Sequence, residues 1–454
     1  MGVHLCAGVA GTEALKILLG RGRVLGAPHG QTFDAYLNRM VCAWRPGGHR
    51  NPLNRLSIWL GNRLLGRLSA RPAPQPAAPV QDMLTAILEE ARWAPSGDNE
   101  QPWRFHRLAS HVLEVQFPGR AEGDIYDYEG RPTLLSLGCL AESLRLAGTR
   151  FGQDMHWRYT PAALGGVLRV SFRPTAGIKD ALADFLATRS VDRRPYRSRP
   201  LTGAQKAALE EAVGDGFTLR WLEGLGARTR AAGLNAATSQ LRNSIPETIE
   251  VHRRIIDWSS PYSPGGIPAQ AIGASKASLP LLRWVLANGR RARFVLGRLP
   301  GATLGAQLEM EWLPGLLCAG HFMLVPRHPE ADPDTAILRA GMAVQRFWLT
   351  ATRLGLAVQP SVATLSFCHY GRHGVPFSRV PSALPRARAL AQRFARLCAE
   401  RGTDPEQVVF LGRIGTPNPT PKTSRSVRKP LTELMAHPDA ATHPNPPQAL
   451  ERPA

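Results

Sequence analysis

The stretch Ala94-Pro95-Ser96-Gly97-Asp98-Asn99-Glu100-Gln101-Pro102-Trp103-Arg104-Phe105 decides how the chain is interpreted. It follows a helical pattern, opens with a proline turn and leads into the start of a strand. Ser96, Asn99 and Gln101 bring hydrogen-bond donors and acceptors to this short loop, which suits a planar heterocycle with carbonyls and ring nitrogens. The alternative is a turn whose amide side chains bond their own backbone. The loop alone leaves both interpretations open.

Two sequence patterns occur twice, in the same order. Residues 88–91 recur as 209–212, and residues 138–152 recur as 341–355. Each longer copy begins with Gly and ends in Thr-Arg-x-Gly, and the spacing of its apolar residues predicts a helix closed by a left-handed Gly. The repeats therefore predict a duplicated α+β unit, with an insertion in the second copy.

The string A-P-S-x-x-N-x-Q-P-W-x-F resembles the signature of FMN-dependent nitroreductase-like proteins. The resemblance continues through 127–131, the two Gly-to-Gly helices, 410–415 and 428–431, and so covers about residues 81–435. In detail the body resembles the mycobacterial Acg-type branch, in which one chain holds two nitroreductase-like halves. This implies an α+β fold with mixed sheets flanked by helices. It also implies halves at 81–176 and 177–435 that form a pseudo-dimer within one chain.

The same resemblance implies a flavin site between the halves. In the family one subunit supplies the A-P-S-x-x-N-x-Q loop, and the other supplies an R-x-S-x-R segment and a basic tail for the phosphate. Carried over to this sequence, the cofactor-binding residues are Pro95, Ser96, Asn99, Gln101, Arg189, Arg193, Arg425 and Arg428. The alternative for the arginines at 189 and 193 is a solvated helix end.

The sequence departs from the family in three places. Val191 stands where the family has Ser, which removes one phosphate hydrogen bond. Residues 359–362 lack the Glu-Gly that the family places near flavin N5, and residues 213–217 replace the second copy of the loop. The chain is therefore expected to form one complete flavin site, and the sequence indicates no catalytic side chain.

Proline-rich and glycine-rich stretches divide the chain. The Pro/Ala stretch 69–80 predicts an extended linker, and 436–454 predicts a disordered tail. Segment 257–275 predicts a long loop. It lies in an insertion around 257–300 that resembles the lid of the Acg-type branch; the alternative is a surface or dimerisation loop.

Residues 1–68 resemble the C-terminal end of a ThiF/E1-like adenylating domain, in a fusion known as MoeY-like or molybdopterin-biosynthesis protein. The segment lacks the Gly-rich loop, the acidic ribose ligand and the Cys pairs that adenylation needs. Adenylation is therefore not expected, and the chain is either a truncation or has its start set too late.

Composition narrows the function further. The formal net charge is +21, and six of the 56 basic residues are lysines, which leaves 50 arginines. These arginines are scattered and aromatics are only 7%, so no nucleic-acid partner is expected.

Six dispersed cysteines predict reduced thiols in the cytoplasm. The apolar run 312–325 is too short to span a bilayer, so no membrane partner is expected, and His369 and His373 do not predict a metal site.

These observations give one leading function and two alternatives. The first is an FMN-dependent oxidoreductase that transfers hydride from NAD(P)H through FMN to a small organic acceptor. The second is a flavin-binding or flavin-sequestering protein with little turnover. The third is an accessory to a ThiF/E1-like adenylating system in cofactor biosynthesis. A further homodimer of the pseudo-dimer is left open.

Overall fold

The computed structural model divides the chain into two compact units, Met1–Ala78 and Pro79–Ala454. It describes residues 2–24, 26, 28–34, 39–44, 46–47, 51–52, 55–56, 59, 82–118, 124–162, 165–299, 301–420 and 422–436. The predicted linker at 69–80 and all but the first residue of the predicted disordered tail lie outside the described residues.

The first unit contains a helix and a hairpin. Helix α1 spans Gly2–Leu19, and Gly20 follows it with a left-handed φ of 56°. Strands β1 (His29–Asp34) and β2 (Arg39–Trp44) pair antiparallel. Helix α1 therefore ends at a glycine.

The second unit begins with a helix and a four-stranded sheet. Its elements are α2 (Met83–Ala91), β3 (Arg104–Ala109), β4 (Val112–Pro118), α3 (Arg131–Thr149), β5 (Gln153–Ala162) and β6 (Gly165–Pro174). The strands pair antiparallel in the order β3-β4-β6-β5. Alternating burial along β6 places Leu168, Val170 and Phe172 in the core against α2 and α3.

A second set of elements follows. It comprises α4 (Gly203–Ala212), β7 (Phe217–Leu222), α5 (Gly224–Ser244), α6 (Pro246–Ile255), β8 (Ile256–Asp257), β9 (Tyr262–Ser263), β10 (Ile267–Pro268), α7 (Ser278–Leu286), α8 (Gly289–Arg298), α9 (Leu304–Gln307), α10 (Leu313–Leu316), β11 (Gly320–Pro326), α11 (Pro333–Arg353), β12 (Ala357–Pro360), α12 (Val362–His373), α13 (Ala383–Ala399), β13 (Phe410–Gly415), β14 (Arg425–Ser426) and α14 (Leu431–Leu434). The predicted loop at 257–275 contains the end of β8, the two-residue strands β9 and β10, and a single 3₁₀ turn.

The two four-stranded sheets have the same connectivity. The second sheet runs β12-β13-β11-β7, again with every pair antiparallel. Numbered along the chain, both sheets have the strand order 1-2-4-3, with one helix before the first strand and a long helix between the second and third. The α+β class predicted from the sequence is confirmed by these sheets and packed helices. The predicted mixed sheets are wrong, because both four-stranded sheets are purely antiparallel.

The two long helices, α3 and α11, cross at a pair of glycines. A Cβ built on Gly138 would lie 2.1 Å from the carbonyl oxygen of Leu338, and one built on Gly341 would lie 2.2 Å from that of Leu135. The two backbones therefore touch at a point where no larger residue fits. These are the glycines that open the repeated pattern.

Polar residues beside this crossing join the same two helices. Glu142 on α3 accepts from Arg346 on α11 at 3.0 Å, and Gln345 on α11 donates to Ser143 on α3 at 2.9 Å. Arg346 also bonds Asp180, at 2.8 Å, and this holds the segment after β6 against the helix pair.

The two sheet regions exchange segments. After β13 the chain returns to the first region, where Leu431 and Leu434 join the core beneath β3 and Ala436 N–H donates to the Phe105 carbonyl at 2.8 Å. In the other direction, Ile125 and Tyr128 are buried in the core formed by α5, α12 and α13. Each core is therefore completed by the other region.

The structure locates two sets of residues that the sequence singles out, the helix-ending glycines and a pair of histidines. Gly152 and Gly355 follow α3 and α11 with φ of 61° and 70°, which confirms the predicted left-handed glycines. His369 and His373 both lie on α12. Gly371 between them is required for packing, since a Cβ there would lie 2.2 Å from the Ala387 carbonyl oxygen of α13.

Across the described residues, no helix is both long enough and apolar enough to cross a bilayer.

Candidate functional site

The loop after α2 is held in an uncommon backbone conformation. Asp98, Asn99 and Gln101 have φ of 47°, 63° and 51°, a left-handed region that non-glycine residues adopt rarely. The Ser96 hydroxyl accepts a hydrogen bond from Gln101 N–H at 3.0 Å and closes the turn. Three such residues within four positions mark a loop whose shape is imposed by its surroundings.

Asn99 and Gln101 impose that shape by binding distant backbone. The Asn99 amide nitrogen lies 3.1–3.4 Å from the carbonyl oxygens of Ser263, Pro264, Gly266 and Val427. The Asn99 amide thus faces segment 262–266 and the backbone next to β14.

Gln101 makes a matching pair of contacts. Its amide nitrogen donates to the Pro264 carbonyl at 2.8 Å, and its side-chain oxygen accepts from Lys429 N–H at 2.9 Å. Gln101 also donates to the Asn99 carbonyl at 2.9 Å, which is the bond to the loop's own backbone that the alternative interpretation predicts. In addition, the two side chains hold two other segments, and their contact with a flavin stays a prediction.

Two buried arginines and one half-buried arginine gather next to this loop. Arg189 is 2% exposed and Arg428 is 9% exposed, and both donate to the Trp93 carbonyl, at 3.4 and 3.3 Å. Arg425 lies over the Trp93 ring with its guanidinium carbon 5.0 Å from the centroid, and Arg189 lies over Trp348 at 4.5 Å. We call Arg189, Arg425 and Arg428 the cationic cluster.

The cationic cluster lacks counter-charges. In the part of the chain that the structure describes, none of its three arginines has a carboxylate oxygen within 4.0 Å. The Nε atoms of Arg189 and Arg425 are buried without a hydrogen-bond partner. Buried charges are normally paired, so these groups point to an anionic ligand.

The pKa shifts of these arginines also point to an anionic ligand. Burial lowers the pKa of Arg189 to about 10, and the nearby Arg425 acts in the same direction. Burial lowers the pKa of Arg428 well below its usual value, with Arg189 and Arg425 adding to the effect. An anion placed among the three would reverse this penalty, because it favours the charged form of each guanidinium.

Arg193 lies apart from the cationic cluster. It donates to the Ala271 carbonyl at 3.1 Å, and its charged neighbours are Asp98, Arg242 and Arg413. Arg189 and Arg193 therefore have different neighbours, and the expectation that both bind the phosphate stays a prediction. Arg425 and Arg428 are the partners of Arg189.

The environment of Arg193 contains several titratable groups. Burial raises the pKa of Asp98 to about 6, helped by Asp124 and Glu100 and opposed by Arg193 and Arg242. His252 Nε2 lies 3.2 Å from the Tyr126 hydroxyl, and burial lowers its pKa to about 3. His252 is therefore neutral near pH 7.

The cationic cluster and the residues around Arg193 line one cavity of about 680 Å³. Pro95, Ser96, Asn99, Arg189 and Arg428 form part of its wall, and Arg193 and Asp98 another. Gln359 and Pro360, from the stretch that the resemblance places beside the flavin, also line it. The volume lies within the range usual for cofactor and ligand pockets.

Some residues of the site were missed by sequence reasoning. Trp93, which contacts the cationic cluster, directly precedes the motif, and the lining residue Trp348 lies inside the repeated helix, so both were close to a recognised pattern. Arg242 and His252 come from α5 and α6, where the sequence carries no signal of a site. Within the described residues, no group of three or more His, Cys, Asp or Glu side chains could hold a metal ion.

The site is thus a cleft lined by a cationic cluster and by mixed polar groups, the kind of site that suits a phosphate-bearing small molecule.

No protein-family model matches the chain. Two Mycobacterium tuberculosis proteins are similar in sequence. The "Putative NAD(P)H nitroreductase Rv3131" is 27% identical over 289 residues, covering 62% of this chain and 76% of that protein. The "Uncharacterized protein MT1398" is 23% identical over 368 residues, covering 79% of this chain. The match spans about half (49%) of the length of that relative.

Two solved structures are also similar. A nitroreductase-like family protein from Bacillus cereus is 12% identical and has a TM-score of 0.27, covering 58% of this chain and 98% of that one. The FMN-dependent nitroreductase NfnB from Mycobacterium smegmatis, solved with NADPH, is 17% identical with a TM-score of 0.29, covering 56% and 97%. TM-scores this low do not establish a shared fold. The sequence relatives support the nitroreductase-like family, whereas the Acg-type branch and the ThiF/E1-like remnant stay predictions.

Proposed function

We propose that this chain is an FMN-dependent oxidoreductase of the nitroreductase-like type, with NAD(P)H as donor and a small organic molecule as acceptor. The cationic cluster carries the proposal, because two buried arginines and a half-buried one face one cavity without a carboxylate and so favour an anion there. A flavin phosphate is such an anion. When bound, FMN supplies the two-electron carrier between donor and acceptor.

The residues of the chain fit this ligand. The free Nε atoms of Arg189 and Arg425 would donate to phosphate oxygens, and charged pairs of this kind are the strongest hydrogen bonds in proteins. Ser96 and Pro95 would lie along the ring system, on the loop that Asn99 and Gln101 fix in place. The neutral His252 and its partner Tyr126 line the same cavity and would contact an acceptor that enters it.

We further propose that the two sheet regions are copies of one unit, arranged as a pseudo-dimer. Their identical strand order and the reciprocal glycine contact between α3 and α11 support this. Only the first copy has the loop, because α4 passes to β7 within four residues, 213–216, where α2 is followed by the motif. One site per chain is the consequence.

The test is FMN binding by the purified full chain. Replacing Arg189 and Arg428 by Gln removes two charge-assisted contacts of about 1.5–3 kcal/mol each, so FMN affinity is expected to fall at least about 100-fold. The matched control replaces Arg158 and Arg173, exposed arginines on β5 and β6, and is expected to bind FMN like the unaltered chain. Unchanged FMN affinity in the Arg189/Arg428 variant contradicts the site.

A flavin-sequestering protein is the second candidate, and the cavity wall favours it. Helices α7 and α9 and the turn after α9 contribute Leu281, Trp284, Ala306 and Met310, which together form an apolar cover. Adding NADPH to the FMN-loaded protein without oxygen separates the two functions. Loss of the visible flavin absorbance supports the oxidoreductase, and an unchanged spectrum supports sequestration.

A further inference from the structure

Helices α7 and α8 and the segment after them expose an unusual number of large apolar side chains. Leu281 is 63% exposed, Trp284 54%, Phe294 53%, Leu299 45% and Leu304 62%. They lie within 24 residues of one another in the sequence, on an insertion that the first sheet region lacks. Several large exposed apolar side chains on neighbouring elements are typical of an interaction site. We call these five residues the apolar face.

The same insertion is strongly basic. Residues 276–299 contain six basic side chains and no Asp or Glu: Lys276, Arg283, Arg290, Arg291, Arg293 and Arg298. Among the described residues, none of these six forms an ion pair with a carboxylate. Arg291 instead lies 4.1 Å from the centroid of the Trp284 ring, which joins the charged and apolar parts of the surface.

We propose that this surface docks the protein on a lipid bilayer with anionic headgroups. Exposed Trp, Phe and Leu beside unpaired arginines is the composition of an interfacial amphipathic helix, whose apolar side enters the headgroup boundary while its cations contact lipid phosphates. Charge decides between occupants. A second copy docked by the same face would bring two groups of six cations together, which opposes association, whereas an anionic bilayer neutralises them.

Interfacial docking needs no spanning helix, so it is compatible with the short apolar runs of the chain. It replaces the expectation of no membrane partner. Leu281 and Trp284 belong to the apolar face and also line the 680 Å³ cavity. The docked protein therefore turns one wall of its cavity towards the lipid, and this arrangement does not depend on which ligand the cavity holds.

The experiment is co-sedimentation of the full chain with vesicles. Vesicles of phosphatidylglycerol and phosphatidylcholine in equal parts are expected to carry the protein down, and pure phosphatidylcholine vesicles are not. Arg290→Gln with Arg293→Gln is expected to lower partitioning about 10- to 30-fold, at about 1 kcal/mol per basic residue. Phe294→Ser with Leu299→Ser, neither of which lines the cavity, is expected to lower it at least about 10-fold.

Two matched controls accompany these variants. Arg158→Gln with Arg173→Gln removes two exposed arginines elsewhere, and Ile178→Ser with Leu225→Ser removes side chains that are 92% and 68% exposed. Both controls are expected to sediment like the unaltered chain. No binding to anionic vesicles, or binding that the 290/293 and 294/299 variants retain in full, overturns the proposal. So does self-association that Phe294→Ser with Leu299→Ser abolishes without any vesicle binding, since it assigns the face to a second copy.

Discussion

Asp98 shows how a single residue of the motif loop is set by its surroundings. It has a left-handed backbone, lines the cavity, and has its pKa raised to about 6 by burial and by the carboxylates of Asp124 and Glu100. Its ionised form is therefore less favourable in the folded protein than in the unfolded chain.

The pH dependence of stability follows from that shift. Below about pH 4 both states hold the proton; between pH 4 and 6 the unfolded state ionises first, so stability falls as pH rises, and above pH 6 the full penalty remains. Asp98→Asn removes the penalty, and Asn tolerates the left-handed conformation. We expect the variant to gain about 1–2 kcal/mol at pH 7 and almost nothing at pH 4.

Chemical denaturation at the two pH values checks this prediction. Asp184→Asn serves as the control, because Asp184 is an exposed carboxylate with its pKa lowered by Lys179, and its loss is not expected to stabilise at pH 7. An equal gain at both pH values for Asp98→Asn would contradict the assigned ionisation.

The sequence located the residues of the site better than their roles. The motif named Ser96, Asn99 and Gln101, and all three lie at the cavity or beside it. It did not show that the two amides bind backbone more than 160 residues away, because such contacts depend on how segment 262–266 folds back. It also did not show that Arg189 and Arg193 would have different neighbours, since four residues of irregular backbone carry no fixed direction.

At the scale of elements, the crossing of α3 and α11 brings the backbones of the two sheet regions into direct contact. Periodicity and the terminal glycines predicted both helices. They did not predict that Gly138 and Gly341 meet, because Gly inside a helix is usually a cost and not a contact point. The reason emerges only from the pair of 2.8 Å approaches between each built Cβ and the other glycine.

Gly138→Ala tests this contact. The added methyl would lie 2.1 Å from a carbonyl oxygen, so the helices must separate, and we expect a loss of about 3 kcal/mol in the free energy of unfolding. Gly305→Ala in α9, where nothing lies within 4 Å of the built Cβ, is the control and is expected to be neutral or slightly stabilising. Urea unfolding measures both, and equal values for the two variants would show that the crossing is not tight.

At the scale of the whole second unit, the exchange of segments is what creates the cavity. Arg425 and Arg428 reach the Trp93 side of the cleft only because the chain returns there after β13. The sequence indicated a duplicated body through its repeats. It did not indicate which core would bury α14, because four residues of helix carry too little pattern to assign a neighbour.

Ending the chain after Pro430 tests the exchange. Leu431 and Leu434 are 8% and 0% exposed in the first core, and each buried leucine contributes about 1.5–3 kcal/mol, so we expect unfolding to become easier by about 3–5 kcal/mol. Ending it after Ala436 removes only the predicted disordered tail and is expected to leave the unfolding midpoint unchanged. Urea titration of both proteins gives the comparison, and a shared midpoint would mean that α14 adds nothing.

The return of the chain also sets an order of events during synthesis. The strand that carries Phe105 leaves the ribosome about 330 residues before the backbone that pairs with it at Met435. Until that backbone emerges, the Trp93 carbonyl lacks Arg428 and the early core lacks two of its leucines. A nascent chain can therefore hold most of its secondary structure and still have no anion pocket, so the ligand can join only after translation has passed the basic tail.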